Sequence, residues 1–172
     1  MARQFDARHL SSTRDTQVQM SNWYEIVIPD LSDLTIMVKN CTLPEISAPA
    51  VELGFGNTRA KVPGQIEYGD GNFAFYDAIK KDIQGQIDAW FNQIYDFKTG
   101  KMGWVDEFKK DVTVTLYGPD GTAERVWYLE GCWPTSITHG DLTGESSDAL
   151  EVAVTMAYDR AYRDDLFGDS ST

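Results

Sequence analysis

The residues able to do chemistry are few, and their spacing assembles none of the usual centres. The two histidines are His9 and His139, and the two cysteines are Cys41 and Cys132. Zinc sites draw on closely spaced ligand pairs, and these four residues form none. No serine, threonine or cysteine stands in a G-x-S-x-G elbow. Gly54-Phe55-Gly56 and Gly69-Asp70-Gly71 are superficially like phosphate loops. Neither joins a buried strand to a helix, and no GK[S/T] follows, so both read as turns. With 27 acidic residues, two carboxylates fall within reach by number alone, and a glycosidase pair is not legible. Asp164-Asp165 reads as solvated charge. The expectation is a protein that is not an enzyme, with no catalytic, metal or cofactor-binding residues and no cofactor.

Composition sets the frame for that expectation. The chain has 172 residues, 42% of them apolar, which suits one domain with a real core. The formal net charge is −12 and the pI about 4.4. So acidic a chain repels phosphate backbones, which argues against tight nucleic-acid binding. It suits a surface that DNA slides past. Neither cysteine is in a C-x-x-C pair, so they read as free buried thiols, with a disulfide open only if the fold brings them together. The start, Met1-Ala2-Arg3-Gln4-Phe5-Asp6, lacks the apolar core of a signal peptide, and no apolar run is long enough for a membrane helix. A soluble chain outside the general secretory route, without membrane anchoring, is expected.

The elements that must position these residues are mostly strands. Residues 1–20 are polar and read as an N-terminal arm; residues 164–172 read as an acidic C-terminal tail. Between them, 21–163 forms one β-domain. Ser21 to Ile28 predicts a strand, and Leu34, Ile36 and Val38 alternate as a second, close enough to pair with it as a hairpin. The stretch 39–64 carries Pro44, Pro49 and Pro63 and predicts two broken strands about a Gly54-Phe55-Gly56-Asn57 turn, projecting at an edge. Asn72 to Asp77 is a further strand. A helix over 78–96 follows, with Ile79, Ile83, Ile87, Trp90, Phe91 and Ile94 on one stripe and Asp77 as its cap. Gly85 should weaken it by about 1 kcal/mol. Val112, Val114 and Leu116 alternate up to Gly118-Pro119-Asp120-Gly121, and Arg125 to Gly131 returns. In the last strand Leu150, Val152, Val154, Met156 and Tyr158 share one face; Ala153, Thr155 and Ala157 share the other. The fold class is mainly β with one α-helix, an antiparallel sandwich or barrel. Its strand edges need cover, and ring assembly supplies it.

Two segments carry a family resemblance. Glu130-Gly131-Cys132-Trp133-Pro134-Thr135-Ser136-Ile137 resembles the (K/E)G-x-WPT-x-(V/I) segment of the tail tube proteins of contractile-tailed phages, with Gly131, Trp133, Pro134 and Thr135 as the motif residues. Residues 39–64 resemble that family's K-x-x-x-LP…GF-x-N-x-x-x-x-V-x-G hairpin. The likeness spans about residues 20 to 162. It implies a fold related to the type VI secretion tube protein, in hexameric rings that stack into the inner tail tube conducting DNA during ejection. It implies ring-to-ring contacts by the arm and the hairpin, here Pro44, Pro49, Phe55, Asn57, Arg59 and Lys61. Arg3, Arg8 and Arg14 are further donors to carboxylates across rings. The implied partners are further copies of the chain, the tail sheath, the baseplate and the tail terminator, with DNA passing through without specific binding. The implied location is the virion tail, and the host cytoplasm during assembly. The alternatives are a ring-forming relative that is a secreted hexamer or tail-end adaptor, or a monomeric binding sandwich.

Overall fold

A computed structural model describes residues 18–143 and 148–163. The N-terminal arm up to residue 17, with Arg3, Arg8, His9 and Arg14, and the tail 164–172, with Asp164-Asp165, lie outside the described residues.

The chain builds β1 (Tyr24–Val27), α1 (Ser32–Met37), β2 (Val38–Cys41), β3 (Ile46–Ser47), β4 (Ala50–Phe55), β5 (Thr58–Pro63), β6 (Glu67–Tyr68) and β7 (Gly71–Tyr76). It continues with α2 (Ile83–Ile94), α3 (Val105–Phe108), β8 (Lys110–Tyr117), β9 (Ala123–Thr138), β10 (Glu151–Ala157) and β11 (Arg160–Arg163). Among the described residues the main sheet runs β1-β8-β9-β10-β7-β2, antiparallel throughout, with β11 also on β9. No helix among them is long and apolar enough to cross a membrane.

Strand β9 organises the fold. Its first half pairs with β8 and β11, and its second half, Trp133 to Thr138, pairs with β10. The bend between the halves falls at Gly131, whose φ of +67° is left-handed, a conformation that costs any residue with a Cβ. The sheet therefore curls around one core. Ile26, Phe73, Phe75, Val112, Val114, Leu129, Cys132, Val152, Val154 and Met156 fill it from the strands, and Ile83, Ile87 and Trp90 from α2. The alternation in the last strand holds: Val152, Val154, Met156 and Tyr158 are buried.

Three expectations are corrected. Residues 32–37 form a helix, not a strand. Leu34 is buried while Ile36 is exposed, and the Asp33 carboxylate takes hydrogen bonds from Lys81 (2.7 Å) and Gln86 (3.3 Å) beside α2. Those two bonds hold Asp33 below its ordinary pKa. The expected β1–β2 hairpin does not form. The two strands sit at opposite ends of the sheet path, because β1 finds β8 and β2 finds β7. The two margins meet where the Tyr24 hydroxyl donates to the Lys39 carbonyl (2.9 Å). The long helix starts at Ile83, so Ile79 lies outside it and is fully exposed. Its N-cap is Asp82, which accepts from the Gly85 amide (3.0 Å). Asp77 instead accepts from Gln84 (3.4 Å).

Both cysteines are free thiols. Burial pushes the Cys41 pKa up to about 11 and that of Cys132 to about 12.

Candidate assembly interface

The segment between β2 and β7 leaves the body as a two-stage ribbon. Its base is the short β3–β6 pair, Ile46 against Tyr68 and Ser47 against Glu67. Its outer stage is β4–β5, from Ala50 opposite Pro63 to Phe55 opposite Thr58. The stages are joined where the Gly64 amide donates to the Pro49 carbonyl (2.7 Å). The turn is Gly56-Asn57, with Gly56 at φ +59° as a two-residue hairpin turn requires. Pro44 stands between β2 and β3 and Pro49 between β3 and β4, while Pro63 is the last residue of β5.

Every residue of β4 and β5 is exposed. The pleat sorts them into two faces. On one, Glu52 draws Arg59 (3.1 Å) and Lys61 (3.7 Å) across the ribbon, so both cations are engaged within the hairpin. On the other lie Val51, Leu53, Phe55 and Val62, apolar and uncovered, Phe55 at 63% exposure. A lone two-stranded ribbon is marginal in water, and an apolar face needs something to pack on. At the ribbon's base Ile46, Ile66 and Tyr68 border a groove of about 520 Å³ closed by Trp127, Ala161 and Arg163.

The motif residues sit at the β9 bend, remote from the hairpin tip in sequence and in role. Trp133 meets Phe108 edge to face at 6.1 Å, Pro134 is buried, and Thr135 donates to the Thr155 carbonyl (3.0 Å). They shape the passage of β9 from one half of the sheet to the other.

The outward face of β10 is small and polar. Ala153 and Thr155 stand opposite Ala74 and Asn72 on one side and Thr138 and Ser136 on the other. Its ion pair is Lys39 with Glu151 (2.5 Å), and that bond raises the Lys39 pKa.

A further surface escaped the sequence reading. The segment 95–104, expected only as a loop, turns back on itself through a Tyr95–Met102 bridge and presents Phe97 (68% exposed), Met102 (74%) and Trp104 (76%) to solvent. Aromatics flanking Gly100 and Gly103 were the available signal.

A family model for phage tail tube protein matches residues 5–164. The chain belongs to that family. No curated protein sequence matches it. Among solved structures, this tail tube family chain is similar to a chain of an extracellular contractile injection system, the PVC sheath-tube complex in its extended state. The TM-score is 0.70 at 18% identity, over 93% of this chain and 98% of that one. It is similar to the tube-terminating cap of the anti-feeding prophage at TM-score 0.69 and 17% identity, over 86% and 91%. Hcp1 from Flavobacterium johnsoniae follows at TM-score 0.51 and 8% identity, over 82% and 94%. Identities this low speak for the shared β-fold. The tail tube family assignment makes the chain a structural component of a tail or injection apparatus, not an enzyme.

Proposed function

We propose that this chain closes into hexameric rings that stack as the inner tube of a contractile tail, the conduit for DNA at ejection. The observation that carries the reading is the β4–β5 hairpin, whose apolar face the described residues leave uncovered. Pro44 and Pro49 direct it off the body, Phe55 and Asn57 form its tip, and Arg59 and Lys61 rim its polar side. We assign this hairpin, with the N-terminal arm 1–20, to ring-to-ring contact. Among the described residues β1 and β2 end the sheet path and touch through the Tyr24–Lys39 bond; in a ring, neighbouring copies would cover the rest of these margins.

The β10 face suits the channel wall. Its small hydroxyl and methyl groups offer little to grip, and Lys39 is already held by Glu151. DNA would pass it for want of a free cation rather than by strong repulsion. The sheath on the outside, a baseplate and a terminator at the ends are the expected partners. The virion tail is the destination, reached from the host cytoplasm. Residues 21–163 act as the tube domain in this reading, with 164–172 as a tail.

The test is deletion of Pro44 to Pro63. The shortened chain should fold and form rings without tubes, and tubes of normal length in electron micrographs would refute the assignment. A terminating ring is the second reading, favoured by a likeness to the tube-terminating cap as close as that to the tube complex. Light scattering at rising concentration separates them: a terminator stays as single rings.

A further inference from the structure

We infer that the joint between Pro49 and Gly64 is the positioning device of the hairpin: it fixes the angle at which β4–β5 leaves the chain, and so where that ribbon meets the next ring. The inference rests on the tube reading and names the residues that aim the hairpin.

The inner stage belongs to the body. The Tyr68 ring meets that of Tyr158, a buried side chain directly after β10, edge to face at 6.2 Å. The Gly69 amide donates to the Glu45 carbonyl (2.9 Å), and the Thr42 amide to the Asn72 carbonyl of β7 (2.9 Å). The root of the ribbon is thereby tied down on both strands. The outer stage has no such ties. Among the described residues β4 and β5 pair only with each other, and every residue in them is exposed. Its direction is therefore set by whatever connects the two stages.

That connection is unequal. Between the pair Ser47–Glu67 and the pair Ala50–Pro63 the outgoing strand has two residues, 48 and 49, and the returning strand has three, 64 to 66. One extra residue on one strand is the geometry of a β-bulge, which bends a ribbon and strengthens its twist. Pro49 has no amide, and its ring fixes φ. Across the joint its backbone can only accept, and it accepts from the Gly64 amide (2.7 Å). A Cβ on Gly64 would stand 2.8 Å from the Pro49 carbonyl oxygen and 3.2 Å from the Val51 Cγ2. The first of these atoms is backbone and cannot swing aside, so a side chain at position 64 forces the joint open. One short bond and one close approach thus hold the bend.

A stiff joint serves stacking. A ribbon held at one angle brings Val51, Leu53 and Phe55 to the same place in every copy. Order already fixed on folding is not lost again when rings meet.

The test disturbs the joint by two different means. Gly64→Ala adds bulk; Pro49→Ala removes the ring constraint and adds none. Each should raise the concentration needed for tube growth about tenfold. Rings should still form and the melting temperature should stay parental, since the joint lies outside the core. Tubes that do grow should show an altered twist between successive rings. In the parent, amide exchange at Gly64 should run at least about tenfold slower than in an unstructured peptide, and Pro49→Ala should speed it. Parental growth and twist in both variants, or an unprotected Gly64 amide in the parent, would overturn the joint while leaving the tube reading intact. An effect of Gly64→Ala alone would overturn it too, giving position 64 to direct contact with the next ring. A parental chain that forms no stacks would overturn both readings together.

Discussion

Gly131 lies against Asp159 so closely that a Cβ on the glycine would collide with the aspartate Oδ2. The Gly131 amide donates to Asp111 (2.9 Å), the Asp159 amide to the Glu130 carbonyl (2.9 Å), and Lys109 closes on the Asp159 carboxylate (2.5 Å). These bonds hold the bend by which β9 passes from β8 to β10. Gly131→Ala has to meet both the left-handed backbone and the collision. It should cost about 2 kcal/mol or more, read as a lower urea midpoint at unchanged slope. A midpoint equal to the parent's would show that the bend relaxes freely.

Gly85 is the third residue of α2, where alanine ordinarily gains about 1 kcal/mol. Here a Cβ would strike the carboxylate of the capping Asp82. Gly85→Ala should therefore leave the melting temperature unchanged or lower it, since a lost cap costs about 1 kcal/mol. A clear rise in thermal denaturation would show the cap to be dispensable.

The thiols should be inert. With burial holding Cys41 near 11 and Cys132 near 12, little thiolate exists at pH 8. Native protein should react with a thiol reagent at least about tenfold more slowly than free cysteine, and denatured protein rapidly. A fast native phase would mark Cys41, at the open margin of β2, as more accessible than its burial implies.

Asp96 makes the aromatic turn acid-sensitive. Its bonds to Thr99, then to the Lys98 amide, hold its pKa below the ordinary 3.8. A depressed carboxylate contributes stability above the unfolded pKa and loses it as pH falls through the folded one. Amide exchange at Lys98 and Thr99 should thus accelerate relative to the rest of the fold only below about pH 4. Asp96→Asn should show faster exchange already at neutral pH. Loss of protection between pH 5 and 6 would point to another group.

Much of the fold was legible because its signals are local. The alternation of Val112, Val114 and Leu116, and of Val152, Val154 and Met156, reports a buried face whatever the partner strand. Gly54 to Asn57 and Gly118 to Gly121 announce turns through residues that tolerate them. The stripe Ile83, Ile87, Trp90, Ile94 is a helical period. Of the assembly surface, the hairpin could be read from its prolines and glycines. The bareness of one of its faces could not, because pairing register decides which side chains share a face.

Only tertiary structure decided the rest. Residues 32–37 alternate like a strand, yet six residues carry too little intrinsic preference to choose for themselves; the bonds of Asp33 to Lys81 and Gln86 hold them as a helix. Neighbours in sequence did not become neighbours in the sheet: β1 met β8, β2 met β7, and Tyr24 joined the two margins across the curl. Exposure of Phe97, Met102 and Trp104 was equally invisible, since aromatic residues are as often core as surface until their surroundings are known. Local pattern tells which residues seek burial; distant segments, competing for the same partners, settle which of them find it.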